Sequence, residues 1–276
     1  MRKILFFTLA VLTVFCTMAC RKDRPLDRPG AMSLNAKAML KQINWPQLGL
    51  TAALEYNPDS TVKTIKYTGS STSETLQIDY GKYGMVKNEI SNSLNVQLFS
   101  YDNAGRIIVI TKCIKESNSL REVAKHELSY NSSGKITKMD YYLVNGQGKT
   151  FIYSSIYDYD SNGMPSKITT TDINQYKTVI KIDKYSDEFA FDPIYFFDRN
   201  MGELNQIYNY SILRLFSANH KLPAKITVTN ETAVPSILIR QINIDFGLVG
   251  QKILHQISTV SSPQSPAIQQ EVQYSY

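Results

Sequence analysis

The sequence predicts an all-β protein. The expected fold is a large antiparallel meander of tandem β-hairpin repeats. It curves strongly towards an incomplete barrel or superhelix and carries a short N-terminal helix. Three observations predict it. From about Leu48 onward Tyr, Ile, Thr, Val and Ser dominate, punctuated by Gly or Asn-Gly, which is the composition of strands and turns. A short motif, Tyr-Asp/Asn-x-x-Gly, recurs along the chain. Its copies are evenly spaced: 29 residues separate Tyr101 from Tyr130 and Tyr130 from Tyr159, 57 separate Tyr159 from Phe216, and 30 separate Phe216 from Phe246. Spacing of that kind marks a repeat architecture.

The clear copies are "YNPDSTVKTI" from Tyr56, "YDNAGRIIVI" from Tyr101, "YNSSGKITKM" from Tyr130 and "YDSNGMPSKI" from Tyr159. Degenerate ones start at Phe216, Tyr80 and Phe246. Each copy is turn chemistry. Asp102, Asn131 and Asp160 are placed to fold a side-chain oxygen back onto backbone N–H groups. Gly105, Gly134 and Gly163 are placed to take positive φ. Together they predict a short hairpin loop closing in a β-bulge. Apolar residues fall two and five positions after the glycine, as Ile107 with Ile110 and Ile136 with Met139. A bulge reconciles that spacing of three with strand alternation. Tyrosine ends the incoming strand, its ring packed and its hydroxyl left to water. Pairs such as Tyr157/Tyr159 and Tyr274/Tyr276 point to one strand face.

A period near 29 is one hairpin with its return, so residues 48–276 hold seven or eight units and roughly 14 to 16 strands. Residues 187–221 break the rhythm. They are read as an aromatic-rich insertion, a short helix or a loop that plugs an edge.

The N-terminus reads as an address. Met1-Arg2-Lys3 is basic, and the apolar run Ile4 to Phe15 is too short to cross a bilayer but suits an export signal. "FCTMAC", ending at Cys20, resembles the lipobox of bacterial lipoproteins, with Thr17 where that family usually has Leu. The resemblance implies lipidation at Cys20 and a membrane partner held through the lipid. The expected organisation is a signal peptide over residues 1–19, a tether over 20–47 and one repeat domain over 48–276. Within the tether, Asn35 to Trp45 reads as a short helix capped by Asn35. Removing Arg2 and Lys3 lowers the net charge from +6 to +4. The remaining Lys and Arg are scattered, which argues against a nucleic-acid partner. Cys113 is the one cysteine left beyond the signal and Cys20, so an internal disulfide is excluded. It reads as a small buried hydrophobe.

The repeat units resemble the tyrosine-aspartate repeats of Rhs-type proteins. The whole chain resembles the repeat-bearing lipoproteins of unknown function of Bacteroidota, through Cys20, the hairpins of residues 56–168, the section "FDPIYFF…SANHKLPAKI" and the terminal "EVQYSY". That resemblance implies an outer-membrane lipoprotein with no catalytic residue to carry over. The "RKD" immediately after Cys20 offers only Asp23 as an acidic residue, which leaves periplasmic and surface faces both open.

No motif specifies an enzyme, a cofactor or a metal. Asp158, Asp160, Asn162 and Gly163 match the first half of a calcium loop, but its twelfth position is Thr169 rather than Glu. "GQGKT", Gly146 to Thr150, lacks the first glycine of a phosphate loop. His126, His220 and His255 lack metal spacing. Scattered carboxylates of the kind any all-β surface supplies leave glycosidase chemistry open. Two functions fit. One is a non-catalytic binding module for a glycan, peptide or envelope protein, served by some of the 18 Tyr and 11 Phe. The other is a structural or assembly protein of the envelope without a small ligand. Oligomeric state is not encoded in any motif.

Overall fold

The computed structural model describes residues 39–71, 73–91, 93–188, 221–249 and 252–276. Among the described residues sixteen strands follow one another. They are β1 (Gln42–Trp45), β2 (Leu50–Tyr56), β3 (Val62–Thr68), β4 (Ser73–Tyr80), β5 (Met85–Ile90), β6 (Asn95–Tyr101), β7 (Ile107–Glu116) and β8 (Ser119–Tyr130). Then come β9 (Ile136–Asn145), β10 (Gly148–Tyr159), β11 (Pro165–Asp172), β12 (Lys177–Tyr185), β13 (Pro223–Asn230), β14 (Ile237–Val249), β15 (Lys252–Ser262) and β16 (Ser265–Ser275). Each pairs antiparallel with its sequence neighbours, and β1 also pairs with β16, which closes the sheet into a barrel.

The meander is therefore the expected one, but two expectations are overturned. The sheet is a closed barrel rather than an incomplete one or a superhelix. The N-terminal helix is absent over its described part: Gln42–Trp45 is strand, followed by a three-residue 3-10 turn at Pro46–Leu48. Both corrections have one cause. Residues β1 supplies sit between β2 and β16, pairing Ile43 with Ala52 on one side and Tyr274 on the other. Without β1 two sheet edges would be left with unpaired backbone groups. One turn of helix cannot match that number of hydrogen bonds. The start of the expected helix, Asn35, and the insertion between residues 189 and 220 lie outside the described residues.

The wall has two unlike faces. Directly opposed residues share a face, so the register carries one face round the barrel. It runs from Ile43 through Ala52 to Tyr67, and from Ile110 through His126 and Tyr141 to Tyr153. The lumen-side face is apolar and buried. Leu54, Ile65, Met139, Ile168, Ile226 and Ile242 are among the residues joined in one core cluster. The outer face is charged. Asp158 lies opposite Lys167 at 2.8 Å, Lys149 reaches Glu127 at 2.6 Å, Lys138 meets Asp140 at 2.8 Å, and Glu89 pairs with both Lys87 and Lys115.

Strand order also sorts the loops. Turns after even-numbered strands, together with Leu40 and Tyr276, gather at one rim. Turns after odd-numbered strands gather at the other.

Candidate functional site

The residues singled out from the repeats all stand at the first rim, and their geometry is that of turns. Asp102 Oδ1 accepts hydrogen bonds from the backbone N–H groups of Ala104 and Arg106, both at 2.9 Å. Asp160 Oδ1 does the same for Asn162 (2.9 Å) and Met164 (2.8 Å), and Asn131 Oδ1 for Lys135 (2.9 Å). Gly105, Gly134 and Gly163 take φ of 76°, 79° and 78°. Ser60 occupies the same place in its copy with φ 66°. The N–H of Arg106, and then its guanidinium, hold the Asp102 carboxyl below the usual carboxylate range. The register slips between Ser100 and Tyr101, leaving Ile108 as the extra residue of a bulge. That places both Ile107 and Ile110 in the core, as it does Ile136 and Met139.

Two acids of the calcium-like stretch are committed elsewhere. Asp160 holds its own turn and Asp158 pairs with Lys167 on the outer wall. Among the described residues no group of three or more His, Cys, Asp or Glu gathers as metal ligands. Cys113 is buried, and burial pushes its thiol pKa up. Cys20 lies outside the described residues.

The repeat tyrosines do more than pack. Each hydroxyl donates to the backbone carbonyl that opens the strand one hairpin earlier. Tyr80 bonds Val62 at 2.9 Å, Tyr101 bonds Met85 at 2.6 Å, Tyr130 bonds Ile107 at 2.6 Å and Tyr159 bonds Ile136 at 2.8 Å. Tyr185 bonds Pro165 and Tyr276 bonds Ile253 in the same way. Tyr56 reaches Leu40 at 2.5 Å, tying the closing strand into the series. Burial raises the phenols of Tyr56, Tyr130, Tyr159, Tyr185 and Tyr276, that of Tyr159 to about 12. The sequence reading left the hydroxyls in water. The signal it lacked is the register, which brings each tyrosine beside the previous repeat.

A second group has no repeat logic. Lys112 on β7, His126 on β8, Tyr141 on β9 and Tyr153 on β10 form a row on the lumen-side face. The rings of His126 and Tyr141 lie 4.6 Å apart, and those of Tyr141 and Tyr153 4.9 Å apart. Lys112 Nζ stands 5.9 Å from the Tyr141 ring centre, and Tyr153 Oη stands 3.4 Å from His126 Nε2. His126 Nδ1 is buried without a hydrogen-bond partner. Burial first, then the nearby Lys112 charge, depress the imidazole pKa to about 4, and burial lowers Lys112 as well. Among the described residues Lys112 has no carboxylate partner. This row is half-buried. It offers a cation, a phenol and an imidazole nitrogen to a group bearing acceptors. It contains no paired nucleophile and base. Sequence reasoning met His126 as an isolated histidine. Only the cross-strand pairs His126–Tyr141 and Tyr141–Tyr153 assemble the row.

No protein-family model matches the sequence, and no curated protein matches it. The fold is similar to two crystal structures described as porin-like proteins. The one from Bacteroides vulgatus ATCC 8482 superposes with a TM-score of 0.57 at 13% identity, covering 87% of this chain and 98% of that one. The one from Bacteroides uniformis ATCC 8492 gives 0.54 at 10% identity, covering 91% and 99%. At such identities the likeness is one of fold.

Proposed function

We propose that the chain is a lipid-anchored protein of the cell envelope, acting as a non-catalytic binding module whose barrel stands in water. The observation that carries this reading is the ion-paired outer wall. A barrel that crosses a bilayer presents an apolar band about 25 Å tall to lipid and keeps its polar residues inside. Here Lys66, Lys87, Lys138, Lys167 and Lys181 face outwards, interspersed with a few apolar residues such as Val96, Ile156 and Val179, and the apolar core cluster faces in. A single charge on the lipid face of a barrel costs about 2–4 kcal/mol at the midplane. Five such lysines, with their acids, are incompatible with a lipid-facing wall. The fold shared with porin-like proteins supports an envelope address, and the lipobox-like "FCTMAC" supports tethering at Cys20.

The test is expression of the chain from Arg21 without detergent. The expected result is a folded, monodisperse β-protein in aqueous buffer. Aggregation relieved only by detergent contradicts it. Cys20→Ser in the full chain should abolish incorporation of labelled palmitate.

For binding, the Lys112–His126–Tyr141–Tyr153 row is the contact we assign to a ligand, a glycan, peptide or envelope protein carrying hydrogen-bond acceptors. Lys112→Gln should weaken that ligand about tenfold to a hundredfold in calorimetry, since a charge-assisted hydrogen bond contributes about 1.5–3 kcal/mol. The alternative is a structural or assembly protein without a small ligand. It is favoured by the exposed apolar tips of the second rim, and a Lys112→Gln variant that keeps every envelope interaction would select it.

A further inference from the structure

The second rim is built unlike the described part of the tyrosine rim. Its described loop residues are 46–49, 69–71, 91, 93–94, 117–118, 146–147, 173–176, 231–236 and 263–264. Ser, Asn, Gln, Gly, Thr and Pro make up most of them, and Glu231 is their one charged residue, already paired with Lys177 at 2.8 Å. Yet large apolar side chains stand exposed at tip after tip: Leu48, Leu94 (62% exposed), Ile173 (54%), Tyr176 and Val234 (97%), with Leu120 just inside. At the tyrosine rim the described turns instead carry Asp59, Lys82, Asp102, Arg106, Lys135 and Asp160. Its exposed large apolar residues, Val86, Val249 and Leu254, lie on strands.

We propose that this uncharged, apolar-tipped rim is a bilayer-contact surface that inserts its loop tips into the interfacial layer of a membrane. It goes beyond the binding reading, whose ligand contact is the Lys112 row, and adds a second surface with its own partner. It rests on the lipid anchor only for proximity.

Three features favour lipid over a protein. The apolar side chains are spread over several tips round a closed ring, divided by small polar residues, with Ile237 and Leu238 following Val234 where β14 begins. A protein interface needs a contiguous packed centre, whereas a fluid interface accepts separate points. The loops are almost free of charge, so entering the headgroup region strips few ions of water. Tyr176, and Phe151 packed edge-on to Tyr142 at 5.9 Å, are ring types that settle at membrane interfaces. Geometry permits the contact. Leu40 lies at the tyrosine rim, and the 19 residues from 20 to 38 reach at most about 65 Å when extended. The longest strand, β14 with 13 residues, measures about 44 Å. The second rim can therefore touch the membrane that holds Cys20.

The experiment uses the chain beginning at Arg21, which has no acyl group, and co-sedimentation with phosphatidylcholine vesicles. The parent should partition onto them and change little between 0.1 and about 1 M KCl, because the contact is apolar rather than ionic. Ile173→Ser with Tyr176→Ser should weaken partitioning about tenfold or more, and Leu94→Ser with Val234→Ser similarly, at unchanged circular dichroism. Val249→Ser at the other rim should leave it unchanged. Absence of the parent from the vesicle pellet overturns the proposal, as does binding abolished by salt. A self-associated species dissolved by the rim substitutions, with no vesicle binding, assigns the rim to a second copy and overturns it too. Mass spectrometry of Cys20 in the membrane-derived chain reports separately on the anchor.

Discussion

The two rims of one barrel are made by different rules. At the tyrosine rim an Asp or Asn closes the turn, a residue in the left-handed region completes it, and a tyrosine reaches back to the preceding hairpin. At the opposite rim the loops range from two to six residues and share no motif. One of them borrows the first rim's device. Asp172 Oδ1 accepts from the N–H groups of Asn174 and Tyr176, both at 2.8 Å, and Gln175 takes φ 63°. The difference teaches where the repeat resides. It is a rule for joining neighbours at one end, and the other end is free to vary in length and chemistry.

The comparison is tested first by removing a whole latch. Tyr130→Ala deletes a ring packed on the core and stacked against Arg106, with its bond to Ile107. It should cost about 3 kcal/mol in denaturant unfolding. Leu94→Ser at the opposite rim should cost under about 0.5 kcal/mol. Equal losses at both rims would erase the distinction.

Between the rims, acid should act through His126. Its folded pKa, about 4, lies below the ordinary 6.5. The unfolded chain therefore binds the proton more readily. Stability should fall as pH drops from about 6.5 towards 4, by up to about 3 kcal/mol. His126→Phe should flatten that part of the profile. An unchanged profile would mean the imidazole protonates as easily in the barrel as outside it.

Backbone tests are smaller and sharper. Gly134→Ala should destabilise by about 1–2 kcal/mol from φ alone, since a Cβ there meets no atom within 4 Å. Gly146→Ala, equally open but without a positive φ, should be near neutral. Tyr130→Phe isolates the hydroxyl and should cost about 1 kcal/mol. Ser60→Gly and Gln175→Gly should each stabilise by up to about 1 kcal/mol, because both native residues hold positive φ.

How far the chain could be read follows the same division. The spacing of Ile107 and Ile110 after Gly105 encodes turn, bulge and inward face within ten residues, so the hairpins were legible. Closure was not, because it depends on Ile43 meeting Tyr274 across the length of the chain. Ile43 and Trp45 turn inwards two residues apart, but Ala38 and Leu40 made the same stretch read as a loose helix. The direction of the wall was hidden for a similar reason. Alternation separates two faces without saying which one meets water. Lys112, His126, Tyr141 and Tyr153 stand 12 to 15 residues apart and meet only through hairpin register.

The central claim is that the outer wall faces water in the anchored protein. Lys66→Cys and Lys181→Cys place thiols on that wall, in a Cys113→Ala background. A membrane-impermeant maleimide applied to opened envelope vesicles, so that both leaflets are reached, should label both thiols fully without detergent. Protection that disappears only when detergent is added would put the wall in lipid and contradict the account.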